Sequence, residues 1–177
     1  RVDLSMNELS GGIPAEIGYL DKLTILALRG NKLTGTIPVE IGNMRSLNIL
    51  DLGNNMLNGE LSAELRWLSE LEVLDVGGNK LTGKLPVEWG ELKKLKRLFL
   101  LGNEFSGKIP GEWGGMEWLE DFLVQGNELT GKVPDFLFHL PTLKRLCLLN
   151  NFLELTEEQK ELNGKDRRYF LLPQRKK

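Results

Sequence analysis

Cysteine and histidine are almost missing from this chain, with one of each in 177 residues. The single thiol, Cys147, rules out an intrachain disulfide, and the single imidazole, His139, leaves little from which to build a metal centre. Charge of one sign is also scarce. A net charge of −2 provides no field to recruit nucleic acid. No apolar run approaches the roughly 20 residues that a membrane-spanning helix needs. None of the asparagines stands two residues before a Ser or Thr, so no N-glycosylation acceptor is present. Together, the lone thiol and the missing acceptor favour a reducing, cytoplasmic compartment over an extracellular one.

What is abundant is repetition. Asn7, Asn31, Asn55, Asn79, Asn103, Asn127 and Asn151 recur every 24 residues. A fixed period in this range marks a solenoid, which presents surfaces rather than pockets. Aligned on the asparagines, neighbouring columns are nearly uniform. Leu23, Leu47, Leu71, Leu95, Leu119 and Leu143 lie eight residues before the Asn. Val2, Leu26, Leu50, Leu74, Leu98, Phe122 and Leu146 lie five before, and Leu4, Leu28, Leu52, Val76, Leu100, Val124 and Leu148 three before. The last two columns differ by two, the strand period, so both sets point to one face of a short strand. Stacking such units builds a parallel sheet. The Asn, with two donors and an acceptor, sits where the chain turns out of the strand and can satisfy backbone groups of its own and the adjacent repeat. Glycine follows four residues later (Gly11 through Gly131). Next come an apolar residue and then Pro14, Pro38, Pro86, Pro110 or Pro134, with Ser62 as the exception. Proline fixes φ at the entry to a short helical segment.

The strings L-x-x-L-x-L-x-x-N-x-L and L-x-G-x-I-P-x-E-I-G-x-L resemble the plant-type leucine-rich repeat, over roughly residues 1–155. That family occurs in ectodomains of receptor-like kinases and receptor-like proteins, and in algal and protist repeat proteins. The resemblance implies an α/β solenoid: a right-handed superhelix with a concave parallel β-sheet and short helical or 3-10 convex segments. It also implies recognition of proteins, peptides or small hormones by the concave face.

Residues 1–155 form about seven repeats, the first incomplete; because no capping sequence precedes Val2, the chain is expected to be a segment of a longer protein. Residues 156–177 read as a C-terminal cap helix and basic tail. Thr156-Glu157-Glu158-Gln159 fits a capping box opening a helix to about Asn163, stopped near Gly164. Tyr169 to Leu172 are expected to fold back over the last repeat, ahead of the solvated Arg175-Lys176-Lys177.

Candidate chemistry is thin. Gly78 to Lys84, Gly102 to Lys108 and Gly126 to Lys132 each read G-x-x-x-x-G-K, but Leu85, Ile109 and Val133 replace the magnesium-binding hydroxyl of a phosphate loop. Cys147 belongs to the inner face and His139 to the outer, beyond mutual reach. Asp51 and Asp75 lie on adjacent strands, with no cleft to position a sugar between them. No catalytic residue, metal or cofactor is expected. Trp89 and Trp113 replace Ile or Leu in the core, whereas Trp67 and Trp118 have no assigned place.

The outward-facing strand residues are left over as the candidate partner contacts, because the scaffold does not dictate them. Along the chain they run from acidic and glycine-rich (Asp51, Asp75) to apolar (Phe99, Leu101, Leu123, Leu149), flanked by Arg97, Asp121, Gln125 and Arg145. An apolar patch rimmed by charge marks an interaction site, unless the C-terminal cap or another part of the protein covers it. The reading is a non-enzymatic module binding a protein or peptide, with no nucleic acid and no membrane insertion. Two alternatives stand beside it: a ligand-binding ectodomain segment of a membrane receptor, and an architectural spacer.

Overall fold

The computed structural model describes residues 1–163 and 165–175. Each repeat contributes one strand to a continuous sheet: β1 (Val2–Asp3), β2 (Ile25–Ala27), β3 (Ile49–Asp51), β4 (Val73–Asp75), β5 (Arg97–Phe99), β6 (Asp121–Leu123), β7 (Arg145–Cys147) and β8 (Tyr169–Phe170). They pair in parallel and in chain order. The register follows the repeat, with Leu50 opposite Leu74 and Leu74 opposite Leu98. Leu26, Leu50, Leu74, Leu98, Phe122 and Leu146 are fully buried beneath the sheet. Each such side chain contributes about 1.5–3 kcal/mol by leaving water. In the first repeat, at the edge of the stack, Leu4, Leu9 and Leu20 stay exposed despite their inward columns.

The asparagine ladder does what its chemistry demands. Asn55 Nδ2 donates to Leu28 O in the preceding repeat and to Leu52 O in its own, and its Oδ1 accepts from Leu33 N. The same triad recurs at Asn31, Asn79, Asn103, Asn127 and Asn151. Asn7 bonds only to Leu4 O and Ser5 O. Every residue just before a ladder Asn has positive φ, whether Gly30, Gly78, Gly102 and Gly126 or Met6, Asn54 and Asn150. The phosphate-loop look-alikes are thus turn glycines, placed where a side chain would strain the backbone.

The return stretch opposite the sheet is a series of 3-10 segments, Ala15–Tyr19, Val39–Asn43, Ala63–Trp67, Val87–Glu91 and Gly111–Gly115. Proline precedes four of them in an extended conformation. Ser62 replaces it at the third by accepting from Glu64 N at 3.0 Å. Trp89 and Trp113 stack at 6.1 Å in the core, and their indole N–H groups donate to Ser62 O and Pro86 O of the preceding repeat. That outlet is why an indole is tolerated in a buried aliphatic column.

The α-helices α1 (Phe136–His139) and α2 (Glu157–Leu162) end the series. The capping box forms, with Thr156 accepting from Gln159 N and Gln159 Oε1 accepting from Thr156 N. The helix caps at Asn163. Gly164, Lys176 and Lys177, named as helix stop and basic tail, lie outside the described residues. After α2 the chain forms β8, with Tyr169 opposite Leu146 and Phe170 opposite Cys147. Tyr169 and Leu171 are buried in the core.

One feature of this end escapes a period-24 reading. Gln174 Nε2 donates to Leu148 O at 2.9 Å and to Leu171 O, and its Oε1 accepts from Leu153 N at 3.4 Å. Those are the ladder's own bonds. Gln174 is an eighth rung, one residue early in register and one methylene longer than Asn.

Candidate recognition face

The outward residues of the sheet separate into two zones. In the middle, Arg29 leaves the end of β2, crosses β3 and reaches β4. Its Nη1 lies 2.5 Å from Asp75 Oδ2 and 3.8 Å from Asp51 Oδ1. Gly53 makes the crossing possible, since a Cβ there would stand 2.7 Å from the guanidinium nitrogen and 3.0 Å from Asp75 Oδ1. From the other side, Leu101 leans over Gly77, where a Cβ would meet its Cδ2 at 2.7 Å. The glycine-rich trough is therefore filled by Arg29 over Gly53 and by Leu101 over Gly77.

This changes the meaning of the acidic zone. Asp75 is only 7% exposed and accepts from Gly77 N at 2.8 Å. Burial, followed by the neighbouring Asp51 carboxylate, pushes its pKa up despite the Gly77 and Arg29 contacts. Burial likewise raises Asp51, which accepts from Gly53 N. Both were expected to be open ligand contacts. In the structure they are engaged internally, and Arg29, absent from the expected site, organises them. Its signal was available, since Arg29 shares a column with Gly53 and Gly77.

In the second zone Arg145 grips Asp121 through two bonds, Nε to Oδ1 at 2.7 Å and Nη2 to Oδ2 at 2.9 Å. That bidentate contact holds the Asp121 carboxyl below the usual carboxylate range. The expected separate rim charges Asp121 and Arg145 are therefore one ion pair, with Asp121 buried. Arg97 flanks Asp121 on β5, is exposed, and has no ion-pair partner among the described residues.

Beside this charged row runs an apolar strip. Phe99, Leu123, Cys147 and Phe170 occupy one column on four consecutive strands. Phe99, Leu123 and Leu149 are half-buried, Cys147 is buried, and Phe170 is 50% exposed. Gln125 separates Leu101 from Leu149, and its Oε1 is buried with no hydrogen-bond partner among the described residues. One alternative had the C-terminal segment covering the strip, but among the described residues it does not. Joining as a parallel strand at the edge, it extends the strip by Phe170 and Leu172. His139 is exposed on α1, away from the sheet, with Nδ1 2.8 Å from Asp135 O. Of the unplaced tryptophans, Trp118 is exposed beside Leu140, Pro141 and Thr142, and Trp67 lies on the 3-10 side.

Known proteins fit this architecture. A leucine-rich repeat family model matches residues 21–81. Over 87% of this chain, with 34% identity and a TM-score of 0.81, the fold superposes on 24% of the plant peptide hormone receptor RGFR1, solved in complex with RGF2. A plant ice-binding protein is 33% identical over 86% of this chain and 49% of its own, with a TM-score of 0.80. The ectodomain of the receptor kinase SOBIR1 from Arabidopsis thaliana is 35% identical, covering 72% of this chain and 68% of its own, with a TM-score of 0.68. A search of curated protein sequences found no match. The chain thus spans about a quarter of the hormone receptor and half of the ice-binding protein. The expectation of a cytoplasmic compartment finds no support in these relatives, one of which is an ectodomain. A lone thiol buried as Cys147 is, with its pKa raised by desolvation, a poor reactant and is compatible with an oxidising compartment. On its repeat, its ladder and these relatives, the chain belongs to the leucine-rich repeat family, in its 24-residue plant-type form.

Proposed function

We propose that this chain is a non-enzymatic recognition module, binding a polypeptide ligand across strands β5 to β8 of the sheet face. The supporting observation is the uncovered strip from Phe99 through Leu123 to Phe170, lying beside the Arg97–Asp121–Arg145 row. An apolar strip rimmed by charge supplies both burial and register to an extended ligand. The central zone offers less, because Arg29 and Leu101 already occupy its trough. In this reading residues 1–155 form the repeat solenoid, and the segment from Thr156 closes the stack and adds β8 to the surface. By analogy with the receptor ectodomains, the proposed compartment is extracellular. No catalytic role is assigned to Asp51 and Asp75, whose carboxylates are committed to Arg29 and backbone amides.

Peptides selected by display against the purified chain test the proposal. Phe99→Glu and Leu123→Glu, each checked for an unchanged urea midpoint, should weaken the selected peptides at least tenfold, about 1.4 kcal/mol. Selected peptides that bind both folded variants as tightly as the parent would refute the assignment.

A further inference from the structure

Besides Ser62, the third repeat breaks the pattern at a second place on the 3-10 side, away from the sheet face. The column holding Gly18, Gly42, Gly90 and Gly114 holds Arg66 instead. At three of those four glycines a side chain is unwelcome. A Cβ on Gly18, Gly42 or Gly90 would lie 2.4–2.5 Å from the Glu40, Glu64 or Glu112 carbonyl oxygen of the next repeat. Arg66 also leaves its Nε buried without a partner among the described residues. Local rules broken at a cost to stability are where functional residues are expected.

The neighbours of Arg66 give the cost a purpose. Its guanidinium carbon lies 4.6 Å from the ring centroid of Trp67, and that of Arg45, from the preceding repeat, lies 5.8 Å from the same ring. Trp67 is 42% exposed, and its Nε1 donates to Glu64 Oε2 at 2.7 Å, which fixes the ring. Neither arginine has an ion-pair partner among the described residues. A guanidinium set against an aromatic ring can still offer its two terminal Nη groups for two-point contact with a carboxylate. Tryptophan and arginine are also the residue types that most often dominate binding energy at protein interfaces.

We infer that Arg45, Arg66 and Trp67 form a second docking site, for an acidic segment of a partner protein that carries an apolar or aromatic side chain beside its carboxylates. The site is independent of the sheet face, so one molecule can hold a ligand on the sheet and a partner on its back.

The test is a titration of the intact chain with a ten-residue peptide of Asp and Glu around a central Leu-Phe, followed by calorimetry and tryptophan fluorescence. Its Lys-substituted counterpart and inorganic sulfate serve as competing probes. The acidic peptide should bind. Arg45→Glu and Trp67→Ala, both at exposed positions, should weaken it at least fivefold without shifting the urea midpoint, and Phe99→Glu should leave it unchanged. The proposal is overturned if the acidic peptide does not bind, or if Arg45→Glu and Trp67→Ala leave its affinity intact. Sulfate or the Lys peptide binding equally well would also overturn it, reducing the site to a simple anion contact or to non-specific adhesion.

Discussion

Replacing Asn127 by alanine should remove about 2–4 kcal/mol of stability, and the sum can be assembled bond by bond. Asn127 is 1% exposed, accepts from Phe105 N at 3.1 Å, and donates to Leu100 O at 3.0 Å and Val124 O at 2.9 Å. The two carbonyls are not orphaned by the change. Leu100 O keeps a bond from Asn103, and Val124 O keeps one from Asn151. The Phe105 N–H has no second partner and belongs to a fully buried residue, so it carries a desolvation penalty of about 1–3 kcal/mol. The two lost carbonyl bonds supply the remainder. Urea unfolding followed by circular dichroism measures the total, and a loss below about 0.5 kcal/mol contradicts the reasoning. A sharper test uses the sharing. Asn103→Ala with Asn127→Ala strips both donors from Leu100 O, so the pair should cost about 1 kcal/mol more than the sum of the singles. Asn79→Ala with Asn127→Ala shares no carbonyl and should be additive. Equal behaviour of the two pairs would show that the ladder is not energetically linked through its carbonyls.

Two further outcomes follow from the same structure. The Asp75 and Asp121 carboxyls should give stability opposite pH slopes. The raised pKa of Asp75 means the folded state holds its proton longer than the unfolded chain, so this contribution is present at acid pH and lost as pH rises through the folded value. The lowered pKa of Asp121 gives stability present above the unfolded value and lost as pH falls through the folded one. In urea melts across the carboxylate range, Asp121→Asn should flatten the acid-side loss and Asp75→Asn the opposing slope; identical profiles for the two variants would contradict these directions. At the other end of the ladder, Gln174→Ala should cost less than Asn127→Ala, about 1 kcal/mol, because Leu153 N is less completely buried and Leu148 O retains Asn151. Amide exchange at Leu153 should accelerate, and unchanged protection there would remove Gln174 from the ladder.

The fold was legible because the scaffold repeats every residue type it depends on. Seven asparagines at one spacing, with apolar columns five and three residues before them, define the strand register and the face each side chain takes. Positions where repeats interact non-identically were harder to read. Arg29 reaches Asp75 across 46 residues, and only the missing side chain of Gly53 permits it, so neither residue alone signals the contact. The pairing of Asp121 with Arg145 was within reach, since opposite charges in one column on adjacent strands stand close enough to pair. Gln174 was hidden twice, by a spacing of 23 and by a change of amide. The strip of Phe99 and Leu123 was visible as a column, whereas its continuation through Phe170 required knowing that the final segment adds a strand in parallel register.

The ladder also has a direction. From Asn31 on, every rung reaches backward, from a side-chain amide to the amide and carbonyl of the repeat before it. A growing chain therefore always ends in a repeat whose backbone groups await a residue not yet synthesised, and each new turn of the coil locks its predecessor. The finished ladder thus has a polarity, each amide closing the repeat on its amino side. Gln174, spliced into the series by one extra methylene, is where the described ladder delivers its last lock.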